Sequence, residues 1–203
     1  MKTLYSWDTA VSPHLAAALE GKPLNDEDLR KGIVEALECP LPPSCAAHID
    51  LLETAGGVLS PGPSGSAQAD IYENLHEDMC CVLVGDGRLG GISATLTALE
   101  SLTIRGFDVR GVVTIEKSLE VAQASDGSLG EQRLDNSEAV QHVLSTSWSS
   151  GERGNAFQTT ANNILKGGGV LALPDLPPQP EPLAQWVEDT SPALGRFLDR
   201  SLR

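Results

Sequence analysis

The chain has 203 residues, with 28 acidic side chains against 14 basic ones, a formal charge of −14, 40% hydrophobic residues and 4% aromatic. That length suits one domain, or one domain plus a tail, and the apolar content argues for a packed core rather than disorder. So acidic a balance argues against binding a nucleic-acid backbone or an anionic membrane surface, and the few aromatics argue against a base-stacking platform. A cation such as Mg²⁺ held at one focused site is still compatible with it.

Residues 1–24 read as irregular, with Ser12-Pro13-His14 in a loop. Asn25 and Asp26 then precede a segment in which Leu29, Ile33 and Leu37 recur at helical spacing, and either residue suits an N-cap. Cys39–Ser44 reads as a connection. Ile49–Glu53 reads as a short strand ending in Thr54-Ala55-Gly56-Gly57, and Val58–Asp70 as a long loop of Gly, Pro and Ser. Met79–Val84 is a continuous apolar run, expected as a central strand buried on both faces. The turn Gly85–Gly91 feeds a helix from Ile92 to Arg105, followed by a strand over Val109–Ile115. Ser118–Gly130 reads as a loop. Helices are expected near Ser137–Trp148 and over Asn155–Lys166, a strand over Val170–Leu173, a linker over Pro174–Pro182 and an amphipathic helix over Gln185–Leu202 with Trp186, Leu194, Phe197 and Leu198 inward.

Strands alternating with helices predict an α/β domain with a mostly parallel sheet over residues 1–173, then a Pro-rich linker and C-terminal helix over 174–203. The longest apolar runs fall well short of the roughly 18–20 residues of a membrane span. The N-terminal stretch has neither the apolar segment of a secretory signal nor the Arg content of a transit peptide, so an intracellular protein is expected. Cys39, Cys45, Cys80 and Cys81 show no C-x-x-C spacing and read as buried free thiols.

In such sheets ligands gather at the carboxyl ends of strands. Two motifs fall there. Glu53, followed by Thr54-Ala55-Gly56, offers a carboxylate and small residues whose backbone a ligand approaches closely, a pattern that suits Mg²⁺ beside a phosphate or an ordinary turn. Gly85–Ser93 is a Gly-rich turn opening a helix, which suits an anion or simply a tight strand-to-helix connection. No G-x-x-x-x-G-K-[ST] phosphate loop occurs in the 203 residues.

Four blocks in order carry a resemblance. Thr9–Pro23 (TAVSPHLAAALEGKP), Glu53–Pro61 (ETAGGVLSP), Val82–Ser93 (VLVGDGRLGGIS) and Gly106–Ile115 (GFDVRGVVTI) resemble successive blocks of the ATP-dependent dethiobiotin synthetases. The ending resembles the junction in the eukaryotic fusion of that enzyme with diaminopelargonate aminotransferase. The resemblance implies a P-loop NTPase-like α/β fold and a homodimer. It implies a ligase that carboxylates 7,8-diaminopelargonate, phosphorylates the carbamate with ATP and Mg²⁺, and closes a cyclic urea in biotin synthesis. Carried over, Glu53 is the metal ligand and catalytic carboxylate. Thr54, Ala55 and Gly56 line the nucleotide and carbamate site, and Leu173, Pro174 and Asp175 lie near the adenine. Ser12 lies near the substrate, and Gly90, Gly91, Ile92 and Ser93 bind the substrate carboxylate.

Three positions depart from the family: Thr54 stands for a Gly, Arg88 for a Lys, and Ile115 for an adenine-reading Asn. The family's phosphate loop and catalytic Lys would lie upstream of Ser12. The expectation is therefore a chain truncated at its N-terminus and inactive in isolation, its compartment mitochondrial or cytoplasmic, with an aminotransferase fused or separate. The alternative is a non-catalytic scaffold or partner subunit of the same fold.

Overall fold

The computed structural model of the protein describes residues 3–38, 49–73, 75, 79–116, 118–122, 129–133, 136–177 and 183–202. The chain forms two compact units, Met1–Leu75 and His76–Arg203.

The first unit holds α1 (Pro13–Leu19), α2 (Asp26–Leu37) and α3 (Gln68–Tyr72). The stretch expected to be irregular thus contains a helix. Pro13 opens it, where a missing N–H and a preset φ cost nothing, so His14 is helical rather than in a loop. Ala16 and Ala17 are its buried face. α2 starts where expected. The Asn25 side chain accepts the Asp28 N–H at 2.8 Å, and Asp26, Glu27 and Asp28 meet the positive end of the helix. Ile33, Ala69 and Ile71 are buried.

The strand expected at Ile49–Glu53 does not form. Leu51 is 92% exposed, and no described strand pairs with this segment, so its backbone has no ladder to join. The long loop after it is partly ordered. Pro61 bridges to Ala67, and α3 follows.

The second unit is built on a parallel sheet in the order β1 (Cys81–Gly87), β2 (Val109–Glu116), β5 (Gly169–Pro174). Between them run α4 (Gly91–Ile104), α5 (Asn136–Val143), a π-helical turn at Leu144–Trp148 and α6 (Asn155–Lys166). β2 is the central strand and β1, among the described residues, pairs with β2 alone. This corrects the expectation for Met79–Val84. An apolar run reports hydrophobicity, not sheet position, and Val84 on β1 is 67% exposed.

Ser118–Gly130, expected as a loop, contributes to an antiparallel pair, β3 (Ser118–Ala122) with β4 (Leu129–Arg133). The alternation of Leu119 and Val121 with polar residues is the strand signal in that stretch.

β2 shows why both sheet faces are covered. Successive side chains point to opposite faces. On one face, a Cβ at Gly111 would strike the ring of Phe197. Phe197 belongs to α7 (Leu183–Ser201) and is buried with Val113 and Leu173, with Trp186, Leu194 and Leu198 packed around them. The inward face expected for the last helix is therefore the one observed. On the other face Thr114 and Glu116 are buried, and Glu116 reaches the start of α5. Trp148 is buried and meets Phe157 edge to face at 4.9 Å. Cys80 is exposed, contrary to the expectation of buried thiols. Burial, followed by the charges of Cys80 and Asp108, pushes the Cys81 thiol up to about 11. Cys39 and Cys45 lie outside the described residues, as does 178–182 of the expected linker.

Candidate functional site

Ser12 and the Glu53–Gly56 segment belong to the first unit. Ser12 is the N-cap of α1, and its carbonyl accepts the Leu15 and Ala16 N–H groups, both at 3.0 Å. Glu53 is exposed in irregular backbone. The residues after it make a self-contained loop. Thr54 Oγ1 donates to the Gly56 carbonyl at 2.9 Å, and Gly57 N–H donates to Ser60 Oγ at 2.9 Å. Gln68 Nε2 donates to the Ala55 carbonyl at 3.0 Å, which ties the loop to α3.

Among the described residues no three His, Cys, Asp or Glu side chains converge in a way that would hold a metal. Mg²⁺ takes one or two carboxylates and completes its octahedron with phosphate oxygens and water. Glu53 offers one exposed carboxylate, enough for a Mg²⁺ ion that takes its remaining oxygens from phosphate and water, and would be the residue that holds it.

The second unit carries a groove at the carboxyl ends of its three parallel strands. Its volume is about 340 Å³, and Val84, Gly85, Asp86, Gly87, Arg88, Ile115 and Asp175 line it. Gly85 and Gly87 are strand residues, not the turn expected for them, because β1 runs to Gly87. A Cβ at Gly87 would overlap the Ile115 carbonyl, and one at Gly91 would overlap the Asp86 carbonyl. These glycines permit close packing of β1 against β2 and α4. Gly90 is the left-handed N-cap of α4, with φ +88°.

Asp86 and Arg88 form a bidentate pair, with Nε to Oδ1 at 3.0 Å and Nη2 to Oδ2 at 2.9 Å. Arg88 N–H also donates to Asp86 Oδ1 at 2.9 Å. The Arg88 guanidinium, then its N–H, holds the Asp86 carboxyl below the usual carboxylate range. The Asp86 N–H is taken by the buried Thr95 Oγ1 of α4 at 3.1 Å.

The anion site expected at Gly90–Ser93 is partly occupied by the chain itself. Gly91 N–H donates to the Arg88 carbonyl at 2.8 Å. Ile92 is half-buried and Ser93 exposed. Leu173 is a core residue, 5% exposed and packed with Phe197. The Pro174 and Asp175 carbonyls accept from Trp186 Nε1 at 3.1 and 3.0 Å, and Asp175 lines the groove. Of the positions expected to serve a ligand, Asp175 lines the groove.

Two residues that the motifs did not single out organise this corner. Buried Asn136, the first residue of α5, donates through Nδ2 to the Asp86 carbonyl at 2.9 Å and the Arg88 carbonyl at 2.8 Å. Buried Glu116, the last residue of β2, accepts the Ser137 N–H at 2.7 Å and the Thr114 hydroxyl at 3.1 Å. The only sequence signal for either is an Asn just before a helix start and a charge ending an apolar strand.

A family model described as an AAA domain matches residues 3–180. The mitochondrial bifunctional dethiobiotin synthetase/7,8-diamino-pelargonic acid aminotransferase of Arabidopsis thaliana is 47% identical over 116 residues, which is 55% of this chain and 14% of that protein. Its counterpart in Oryza sativa is 47% identical over 125 residues, 58% of this chain and 14% of that protein. The chain belongs to the dethiobiotin synthetase family. The ATP-dependent dethiobiotin synthetase BioD of Phenylobacterium zucineum is 40% identical over 72 residues, 36% of this chain and 30% of that protein. The chain thus spans about a seventh of the plant fusions and under a third of this bacterial member. The parallel sheet flanked by helices is the P-loop NTPase-like α/β fold expected for the family. Among the described residues no helix is long and apolar enough to cross a membrane.

Proposed function

We propose that this chain carries the post-phosphate-loop part of a dethiobiotin synthetase and acts in the ATP-dependent ring closure of a diamino acid to dethiobiotin. The observation behind this reading is the groove at the carboxyl ends of β1, β2 and β5, bounded by the Gly85–Arg88 segment of one family block and Asp175. On family resemblance, Glu53–Gly56 and Leu173–Asp175 are assigned to the Mg²⁺–nucleotide side of the reaction. Ser12 and Gly90–Ser93 are assigned to the diamino acid.

The role of the second unit's own residues is to shape the site. The glycines of β1 bring the strand end against β2, and Ile115 supplies an apolar floor with no hydrogen bond to offer a base. The Asp86–Arg88 pair gives one wall a neutralised charge. Phosphoryl transfer depends on positioned cations and a backbone cradle, and the 203 residues hold no G-x-x-x-x-G-K-[ST]. We therefore expect no turnover by this chain alone. A homodimer, a mitochondrial setting and an aminotransferase partner are part of the same proposal; the plant relatives named above are fusions described as mitochondrial.

The test is to incubate the purified chain with ATP, Mg²⁺, bicarbonate and 7,8-diaminopelargonate, with and without a polypeptide bearing the family's phosphate loop, and to follow dethiobiotin by mass spectrometry. Product only in the complemented sample is the expected result. Product from the chain alone would overturn the expected inactivity. No product and no nucleotide binding in either sample would favour the scaffold subunit instead.

A further inference from the structure

The groove is lined by residues 84–88, Ile115 and Asp175, yet the backbone of one wall is held from a helix that does not line it. Asn136 donates one amide group to two successive groove carbonyls, those of Asp86 and Arg88. The next residue, Ser137, gives its N–H to Glu116 at the end of β2. The start of α5 therefore joins the ends of two adjacent strands through neighbouring residues. Both side chains are nearly closed to water, Asn136 at 5% exposure and Glu116 at 2%. A buried amide or carboxylate that loses its partner costs far more than an exposed one, so each end of this clip holds its geometry firmly. A Cβ at Gly91 would also come within 2.9 Å of the Asn136 amide nitrogen, so this corner is closely packed.

We propose that Asn136 and Glu116 are positioning residues for the strand-end groove. The start of α5 sets the conformation of Asp86–Arg88, and with it the direction in which Arg88 presents its guanidinium. The Arg88 N–H and side chain both turn back onto Asp86, and this needs the segment between them held in one conformation. With the Asn136 bonds removed, residues 86–88 lose their anchor to α5, and the Asp86–Arg88 pair opens to solvent. The proposal rests on the groove being the functional site, but its test does not depend on turnover.

The experiment is carbon-detected NMR titration of the Asp86 carboxyl, with the Arg88 backbone amide and the thermal midpoint followed in the same samples. Among the described residues, Arg88 pairs with Asp86 and Asp175 lines the same groove. Asp175→Asn is titrated as a control for its charge. In the wild-type chain Asp86 titrates below the ordinary carboxylate range. In N136A and in the uncharged, similarly sized N136L it moves up into that range and the Arg88 amide shifts. E116A does the same through α5, while E116Q, which keeps an oxygen for the Ser137 N–H, retains the wild-type titration. A folded N136A or N136L with Asp86 and Arg88 unchanged overturns the proposal, as does an E116Q indistinguishable from E116A. Should N136A not fold, the N136L and E116Q pair decides alone. Failure of dethiobiotin synthesis under the earlier test bears on the proposed activity and leaves this result intact.

Discussion

The loop Thr54–Ser60 and the corner where β1 meets α4 are both Gly-rich, and both lie within a family block, but their glycines do different work. The Thr54–Ser60 loop is largely exposed, bonds to itself through its own hydroxyls and carbonyls, and is tied to the start of α3 by the Gln68 side chain and by the Gln68 and Ala69 N–H groups, which donate to the Ala55, Ser60 and Val58 carbonyls. At the β1–α4 corner the glycines are packed against backbone, and the Asp86 N–H and the Asp86 and Arg88 carbonyls are bonded to buried side chains of α4 and α5. A Gly-rich motif alone does not distinguish a loop kept free for a ligand from a corner kept tight by packing. Its neighbours decide.

Substitutions break or sharpen this contrast. The largest effect is expected from G87A or G91A. Each new Cβ meets rigid backbone rather than a side chain that can move aside, so about 3 kcal/mol of stability is lost, read from urea unfolding of the second unit. G57A in the loop has only Ser60 Oγ nearby, at 3.7 Å from the added Cβ, and is expected to be far milder. T95V keeps the shape of a buried residue but strips the acceptor from the Asp86 N–H. A loss of about 1–3 kcal/mol follows, and a neutral result would mean that water replaces the hydroxyl. N25A removes the cap of α2 and costs about 1 kcal/mol, confined to the first unit and visible by hydrogen exchange. E53A, at an exposed position, stays within about 0.5 kcal/mol of wild type by the same urea assay. A larger loss there would show that the loop is held by more than its local bonds.

A last contrast is in acid. The Thr9 N–H, then Lys22, holds Glu20 down to about 2 from an ordinary 4.5. A depressed carboxylate contributes stability that is complete above its unfolded value and is lost as pH falls from there through its folded value. The first unit should therefore weaken between about pH 4.5 and pH 2. In E20Q that part of the slope disappears, as read from unfolding midpoints at successive pH values. An unchanged slope would assign the acid sensitivity to other carboxylates.

Much of the second unit was legible from periodicity and caps. β2 and α6 fall within a residue of where their apolar patterns put them, and α4 and α7 begin and end close by, because these signals are local. The inward face of α7 was read correctly down to Phe197. What was not legible depended on partners far along the chain. Ile49–Glu53 carries a strand-like pattern but forms none, since a strand exists only with a neighbour. Met79–Val84 is expected at the centre of the sheet, but among the described residues β2 is the strand with two neighbours. The helix at Pro13–Leu19 carries a local signal of its own, a Ser followed by Pro at the first helical position.

By itself the sequence determined the family, the alternation of helix and strand, and the positions of the Gly-rich blocks, because motif order and hydrophobic period are properties of neighbours in the chain. The tertiary structure alone decided which glycines are there for packing, and that Asn136 and Ser137 of α5 bond to the ends of β1 and β2. Those bonds join residues some 20 to 50 positions apart. A buried donor is satisfied by whatever the fold brings within about 3 Å of it, and no local pattern records that choice.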